Sequence, residues 1–252
     1  MNIIMLVGEG DSSKIVYNSL SKDFDIKMVI EDTSISKKTF LKRRIKKLGY
    51  LKVFGQILFM IYNKLLFHKS KKQIEIIKKT NGLISDLYPT NVFKKVSSIN
   101  NQETIDILLK YKPDIIIVNG TRLISKNILK NIDAVFVNTH IGITPEYRGV
   151  HGGYWALVNN DYNKCGVTIH LVDDGIDTGG VLYQDVIKIS KLDNFNTYPY
   201  LQIAKAIPLL NKTIQDIIKG SLMINEKANS KSNLYSHPTL LEYFKNKVKG
   251  VN

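Results

Sequence analysis

Apolar residues along the chain fall into two rhythms. Short β-branched runs at residues 2–7, 26–30 and 114–118 are apolar at nearly every position, as in parallel strands buried on both faces. Between them, stretches such as 101–111 place Ile105, Leu108 and Leu109 on one face at helical spacing. The opening strand, the turn Gly8–Ser13, a helix to about Leu20 and the strand 26–30 form a βαβ unit, which implies a parallel sheet. Residues 39–67 predict two amphipathic helices broken near Gly49 or Gly55, and 71–87 a helix or a strand-and-loop crossover. Pro113 stops the helix before 114–118, and Asn119-Gly120-Thr121-Arg122 turns the chain. Further strands are expected at 135–137, 167–172 and 181–189, with helices at 154–159, 198–219 (kinked at Pro208) and 239–248; 223–233 reads as a polar loop.

The fold class is therefore α/β: a Rossmann-like, mostly parallel twisted sheet with helices on both faces. Residues 1–190 are expected to form the catalytic domain, with a basic helical insertion at about 37–72, and 191–252 a C-terminal helical extension. At 252 residues and 44% hydrophobic content the chain can bury a large core. A single cysteine, Cys165, excludes an intramolecular disulfide and a cysteine-based zinc site. No basic n-region precedes residues 1–7, and the apolar stretch 53–67 falls short of the roughly 20 residues of a membrane span. A cytoplasmic location is the expectation. The net charge of +14 favours anionic partners, and the cluster Lys37, Lys38, Lys42, Arg43, Arg44, Lys46 and Lys47 favours a packed insertion first, then a homodimer surface, then a peripheral membrane contact.

Candidate chemistry begins where the strand 135–137 ends. Residues two apart on an extended segment point the same way, so Asn138 and His140 aim at one spot beyond a strand's carboxyl end. The following turn carries Pro145, Arg148, Gly149, Gly152 and Gly153 and suits an anion. About forty residues on, Asp173, Asp174 and Asp177 lie in DDGIDTGG, whose spacing departs from a calcium loop; no metal is expected. Amide, imidazole and carboxylate together can hold a carbonyl oxygen and manage a proton. Two rival classes remain at this level. Gly8-x-Gly10-x-x-Ser13 with Glu31 and Asp32 approximates a dinucleotide fingerprint of an NAD-dependent dehydrogenase, without its third glycine. The basic cluster alone would suit a non-enzymatic membrane or nucleic-acid binder.

Asn138-x-His140, PEYRG and GVTIHLVDDGIDTGG with the Tyr183-Gln184 pair together resemble the folate-dependent formyltransferase family, most strongly over residues 113–188. The resemblance implies Asn138, His140 and Asp177 as catalytic residues. N10-formyltetrahydrofolate would be the formyl donor, its pterin lying between Gly120, Thr121, Arg122, Leu123 and Ile124 on one side and Val172, Asp173 and Asp174 on the other. Protonated His140 and the Asn138 amide would stabilise charge on the formyl oxygen, and Asp177 would support His140 and help move the amine proton. Many members follow the histidine with Pro-Ser-Leu-Leu-Pro; here Ile141-Gly142-Ile143-Thr144-Pro145 stands instead. Thr144, Tyr147, Arg148, Gly149, His151, Tyr154 and Trp155 are the candidate acceptor contacts. About sixty residues after Ile189 read as helices and linker, too little for a tRNA-gripping barrel. The acceptor implied is the amine of a nucleotide-linked amino sugar, as used in surface polysaccharide synthesis such as lipopolysaccharide O-antigen, with glycinamide ribonucleotide or aminoacyl-tRNA as alternatives. Nucleic acid is not an expected partner.

Overall fold

In a computed structural model of the chain, the residues described are 1–33, 36–225 and 231–251. A seven-stranded sheet runs in the order β3-β2-β1-β4-β5-β7-β8. Its strands are β1 (Ile3–Gly8), β2 (Ile26–Asp32), β3 (Phe93–Val96), β4 (Ile115–Asn119), β5 (Val135–His140), β7 (Gly166–Leu171) and β8 (Val181–Val186). The first five in spatial order are mutually parallel. β7 is antiparallel to β5, and β8 is antiparallel to β7. The fold is the mostly parallel α/β arrangement expected from the sequence.

The unbroken apolar runs are explained by alternation between two cores. Ile3, Met5 and Val7 of β1 face one cluster with Ile115, Ile117 and Val137. Ile4 and Leu6 face the other with Ile116, Val118 and Phe136. The first core is covered by α1 (Asp11–Leu20), through Ile15, Val16 and Leu20, and by α7 (Tyr198–Ile218), through Ile203, Ala206, Leu210 and Ile214. The second is covered by α4 (Gln102–Tyr111) and α5 (Lys126–Asn131). α7, expected to begin an extension, is thus a layer of the main core. It runs through Pro208, which lies on the helix's exposed side, where a carbonyl left without its N–H partner meets water.

The segment after β2 departs from the expected bounds. The chain breaks at Gly49, which has φ 81°, between α2 (Lys37–Leu48) and α3 (Tyr50–Thr80). Gly55 lies inside α3, where a Cβ would meet Thr239 at 2.9 Å. α3 continues through 71–80 because Ile74 and Ile77 prolong its buried face and no Gly or Pro interrupts it before Gly82. The two helices are therefore the crossover from β2 to β3 and extend past the expected end at 72. A third cluster joins Phe59 of α3 to Tyr154 of α6 (Gly152–Val158), Tyr198, and Tyr243 of α8 (Leu240–Val248). β6 (Arg148–Gly149) pairs with β9 (Leu234–Tyr235), and Asn225 bridges Val181. The rest of the expected polar loop, 226–230, lies outside the described residues.

Candidate active site

Strand β5 delivers Asn138 and His140 to its carboxyl end, and β7 sets His170 directly opposite Asn138 in register. Asp177 comes from the loop between β7 and β8 with φ 52°, a left-handed backbone that Asp tolerates better than most residues. Its carboxylate meets four groups. Oδ2 accepts the Gly149 N–H at 2.8 Å and lies 3.3 Å from His140 Nδ1; Oδ1 accepts from Asn138 Nδ2 at 3.4 Å and lies 3.6 Å from His170 Nε2.

The carbonyl contacts fix how the two imidazoles hold their protons. His170 Nδ1 donates to the Leu171 carbonyl at 2.6 Å, so its Nε2 accepts from Asn138 Nδ2 at 3.0 Å. His140 Nε2 donates to the Tyr147 carbonyl at 2.7 Å, leaving Nδ1 facing Asp177. Burial, the largest influence on His140, pulls its pKa below 6.5, against the opposing pull of Asp177 and the Tyr147 carbonyl. For Asp177 burial is again the largest influence and opposes charge. The contact with His170, the field of His140 and the Gly149 N–H together outweigh it and hold the carboxyl below 3.8. Asp177 Oδ2 and His140 Nδ1 thus stand 3.3 Å apart, largely buried and facing each other. That gap is a site for one proton.

Around this cluster lies a slot lined by Val118, Thr121, Arg122, Leu123, Ile124, Asn138, His170, Val172, Asp173, Gly175 and Asp177. Val118, Leu123, Ile124 and Val172 give it apolar walls, and Thr121, Arg122, Asn138, His170, Asp173 and Asp177 give it polar ones. His140 is 4% exposed and stands behind Asp177, off the slot wall. Of the expected donor contacts, Thr121, Arg122, Leu123, Ile124, Val172 and Asp173 line the slot. Gly120 instead packs its carbonyl so close to Gly8 that a Cβ there would approach within 2.0 Å. Asp174 turns outward to Lys126 at 2.5 Å. Arg122 is held by Asp32 at 2.5 Å and donates to the Thr33 carbonyl at 2.7 Å.

The expected acceptor contacts divide. Gly149 and Arg148 brace the acidic loop, Arg148 donating to the Ile176 carbonyl at 2.9 Å. Thr144, Tyr147 and Tyr154 are buried at 2%, 4% and 2% exposure and are not presented to the slot. Tyr147 Oη donates to Asp161, and Tyr154 Oη accepts from Asn246 in the third core cluster; apolar ring area favours burial over an open entrance. Trp155 stacks on Tyr235 and donates to the Ser236 carbonyl. His151 stands 2.9 Å from His237. Thr168 and Gln184, which the sequence showed only as parts of the GVTIHLV run and the Tyr183-Gln184 pair with no role of their own, fix the 141–145 segment. Thr168 Oγ1 donates to the Gly142 carbonyl at 2.7 Å, and Gln184 Nε2 to the Thr144 carbonyl at 2.8 Å.

The dinucleotide fingerprint has a structural explanation. Gly8 admits the Gly120 carbonyl, Ser13 Oγ donates to the Gly8 carbonyl, and Glu31 and Asp32 pair with Lys95 and Arg122. Among the described residues no cluster of His, Cys, Asp and Glu could hold a metal.

With this geometry, the match to known proteins is decisive. The family model described as formyl transferase covers residues 36–201, which include Asn138, His140 and Asp177. The chain belongs to the formyl transferase family. It is 37% identical over 123 residues to a methionyl-tRNA formyltransferase of Finegoldia magna, covering 48% of this chain and 39% of that protein. To a GDP-perosamine N-formyltransferase of Brucella melitensis it is 30% identical over 140 residues, covering 55% and 54% respectively. The chain thus spans about half or less of these relatives' lengths. In fold it is similar to an N-formyltransferase of Helicobacter canadensis in complex with folinic acid and dTDP-3-aminofucose, with TM-score 0.57, 18% identity, and 93% and 71% of the two chains covered.

Two consequences of the site follow for this formyl transferase family member. A Cβ on Gly142 would lie 2.5 Å from the Tyr147 carbonyl and 2.6 Å from His140 Nε2. Gly142→Ala is expected to push His140 out of line and lower turnover by roughly 10²-fold, read by steady-state kinetics beside an unchanged circular-dichroism spectrum. Burial and the nearby Arg44 bring His237 down to about 4, and burial with His237 and Arg44 lowers His151 well below 6.5. The unfolded chain takes up the His237 proton through pH 6.5 and the folded one only near 4, so its share of stability is full above 6.5 and declines toward 4, and His151 acts in the same direction. The unfolding midpoint should fall on the order of 5 °C across that window, and His237→Asn should flatten the fall.

Proposed function

We propose that the protein transfers a formyl group from N10-formyltetrahydrofolate to the amine of a nucleotide-linked amino sugar, for surface polysaccharide synthesis. The observation that carries the transfer is the union of Asn138, His170 and Asp177, at the wall of the slot, with His140 behind Asp177, into one cluster of polar contacts.

The donor, when bound, supplies an activated formyl group on a tertiary nitrogen. Leu123, Ile124 and Val172 would flank its ring system. Asn138, in the slot lining, would donate to the negative charge growing on the formyl oxygen. Its amide protons go to His170 Nε2 at 3.0 Å and to Asp177 at 3.4 Å. The longer contact is the weaker, and it is the one an incoming oxygen would replace. His170 keeps the other and so sets the amide's direction. Asp177 would receive the amine proton at the slot wall, with His140 Nδ1 behind it taking the charge while Tyr147 holds Nε2–H; the same proton would then pass to the donor's N10 as the bond from the formyl carbon to N10 breaks and tetrahydrofolate leaves. Once protonated, His140 donates to both neighbours and no lone pairs oppose.

The sugar acceptor is supported by similarity to the GDP-perosamine enzyme and by the fold of the Helicobacter canadensis enzyme. An aminoacyl-tRNA acceptor is the second reading, favoured by the 37% identity to a methionyl-tRNA formyltransferase. The test incubates the chain with N10-formyltetrahydrofolate and a panel of amino-sugar nucleotides, reading a mass gain of one formyl group. A gain on aminoacyl-tRNA with none on any sugar would transfer the assignment.

A further inference from the structure

Helix α3 is apolar on two opposite faces over its first half. One face packs inward through Val53 and Phe59, with Gln56 between them buried and hydrogen-bonded. The other carries Leu51, Phe54, Leu58, Ile61 and Leu65, spaced by three and four residues. They are exposed by 90%, 61%, 37%, 59% and 64%. At 1.5 Å per residue the stripe is about 21 Å long. An aliphatic and aromatic surface of this length, continuous along one helix, marks an interaction site.

Charge says what covers it. Between Thr33 and Ile74 the sequence has twelve Lys and Arg and no Asp or Glu, so this one crossover accounts for most of the net charge of +14. Among these residues Lys42, Lys46, Lys47, Lys52 and Lys69 are exposed. A second copy docking through the same face about a twofold axis would bring two such cationic segments together. A nucleic acid would use the lysines but leave the aliphatic stripe in water. An anionic lipid surface satisfies both, the stripe entering the acyl boundary and the lysines meeting headgroups. Among the described residues no helix is long and apolar enough to cross a membrane, which suits a helix lying in the plane.

We propose that α2 and α3 form a docking surface for an anionic membrane. The surface is fixed to the catalytic half of the molecule. Arg44 of α2 donates to Gln56 Oε1 at 2.9 Å, and Gln56 Nε2 donates to the His237 carbonyl at 2.6 Å. His237 meets His151, at the start of α6. Docking therefore holds the loop after the catalytic strand at a set position relative to the bilayer.

The test is co-sedimentation of the full chain with phosphatidylcholine vesicles and with mixed phosphatidylglycerol–phosphatidylcholine vesicles. Partition onto the anionic vesicles should exceed that onto neutral ones by about tenfold and weaken with added salt. A Phe54→Ser, Leu58→Ser double variant and a Lys42→Ala, Lys46→Ala, Lys47→Ala triple variant should each reduce partition by about tenfold. All five residues are exposed, so the thermal unfolding midpoint and formyl transfer in vesicle-free solution should stay unchanged. Absence of partition onto anionic vesicles, or equal partition by both variants, overturns the proposal. So does a concentration-dependent dimer that the double variant abolishes, or RNA binding that survives the double variant while vesicle binding is absent in the parent. Binding is read without reference to turnover, so failure here leaves the formyl-transfer reading standing.

Discussion

His140→Ala is expected to lower kcat/KM for formyl transfer by about 10³-fold while leaving the protein folded, within the range for loss of a positioned acid–base group. His140 touches the cluster at two points: Nε2–H bonds the Tyr147 carbonyl at 2.7 Å and Nδ1 faces Asp177 at 3.3 Å. Truncation removes the group that charges when the amine gives up its proton, and leaves Asp177 as the sole acceptor. The fold should tolerate the loss, because His140 contributes no apolar mass to the two sheet cores. The orphaned Tyr147 carbonyl carries a cost of about 1–3 kcal/mol, visible as a lowered midpoint short of unfolding. Kinetics on purified variant beside a thermal melt separates the two effects. A variant that is folded and turns over within tenfold of the parent would remove His140 from the mechanism.

The physical basis of legibility differs from element to element. β1, β4 and β5 were readable because each is buried on both faces, so composition alone betrays them. Asn138 and His140 were readable because period two puts them on one side of a strand end. β3 was not: its Phe-Lys-Lys-Val is short and carries two exposed lysines, and only the pairing with β2 makes it a strand. α5, six residues held by the Ser125 cap, was passed over for the same want of length. His170 shows the limit most clearly. Its place in the site depends on the β5–β7 register, which sets it opposite Asn138. The available signal was a polar residue at a buried position of an otherwise apolar run, GVTIHLV.

The glycine-rich turn after His140 illustrates a second limit. Its composition suggests an anion cradle, yet Gly142 and Gly152 lack side chains because their backbones touch: a Cβ on Gly152 would meet the Gly142 Cα at 2.7 Å. That contact lets the Tyr147 carbonyl reach His140. Arg148 supports the same cluster, holding the acidic loop through Ile176. Close packing and anion binding call for the same residues, and local sequence does not distinguish them.

Asp177→Asn should cost about as much turnover as loss of His140, roughly 10³-fold, for an electrostatic reason. The substitution keeps the size, and Asn tolerates φ 52° as well as Asp does. What it removes is the negative charge beside His140, the principal influence opposing burial of an imidazolium there. The carboxamide also cannot accept on both sides. With its oxygen toward the Gly149 N–H, its NH2 confronts the Asn138 NH2; reversed, it confronts the Gly149 N–H. The Asn138 direction is therefore disturbed as well. The stability signature is distinct. The Asp177 carboxyl sits below 3.8 in the folded protein, so its contribution is present above the ordinary carboxylate range and is lost as pH falls through the folded value. The variant should lack that acid-limb loss while melting a few degrees lower at neutral pH. Parent-like turnover at neutral pH with that altered acid limb would confine Asp177 to holding the loop, and the proton site between Asp177 and His140 would have no part in transfer.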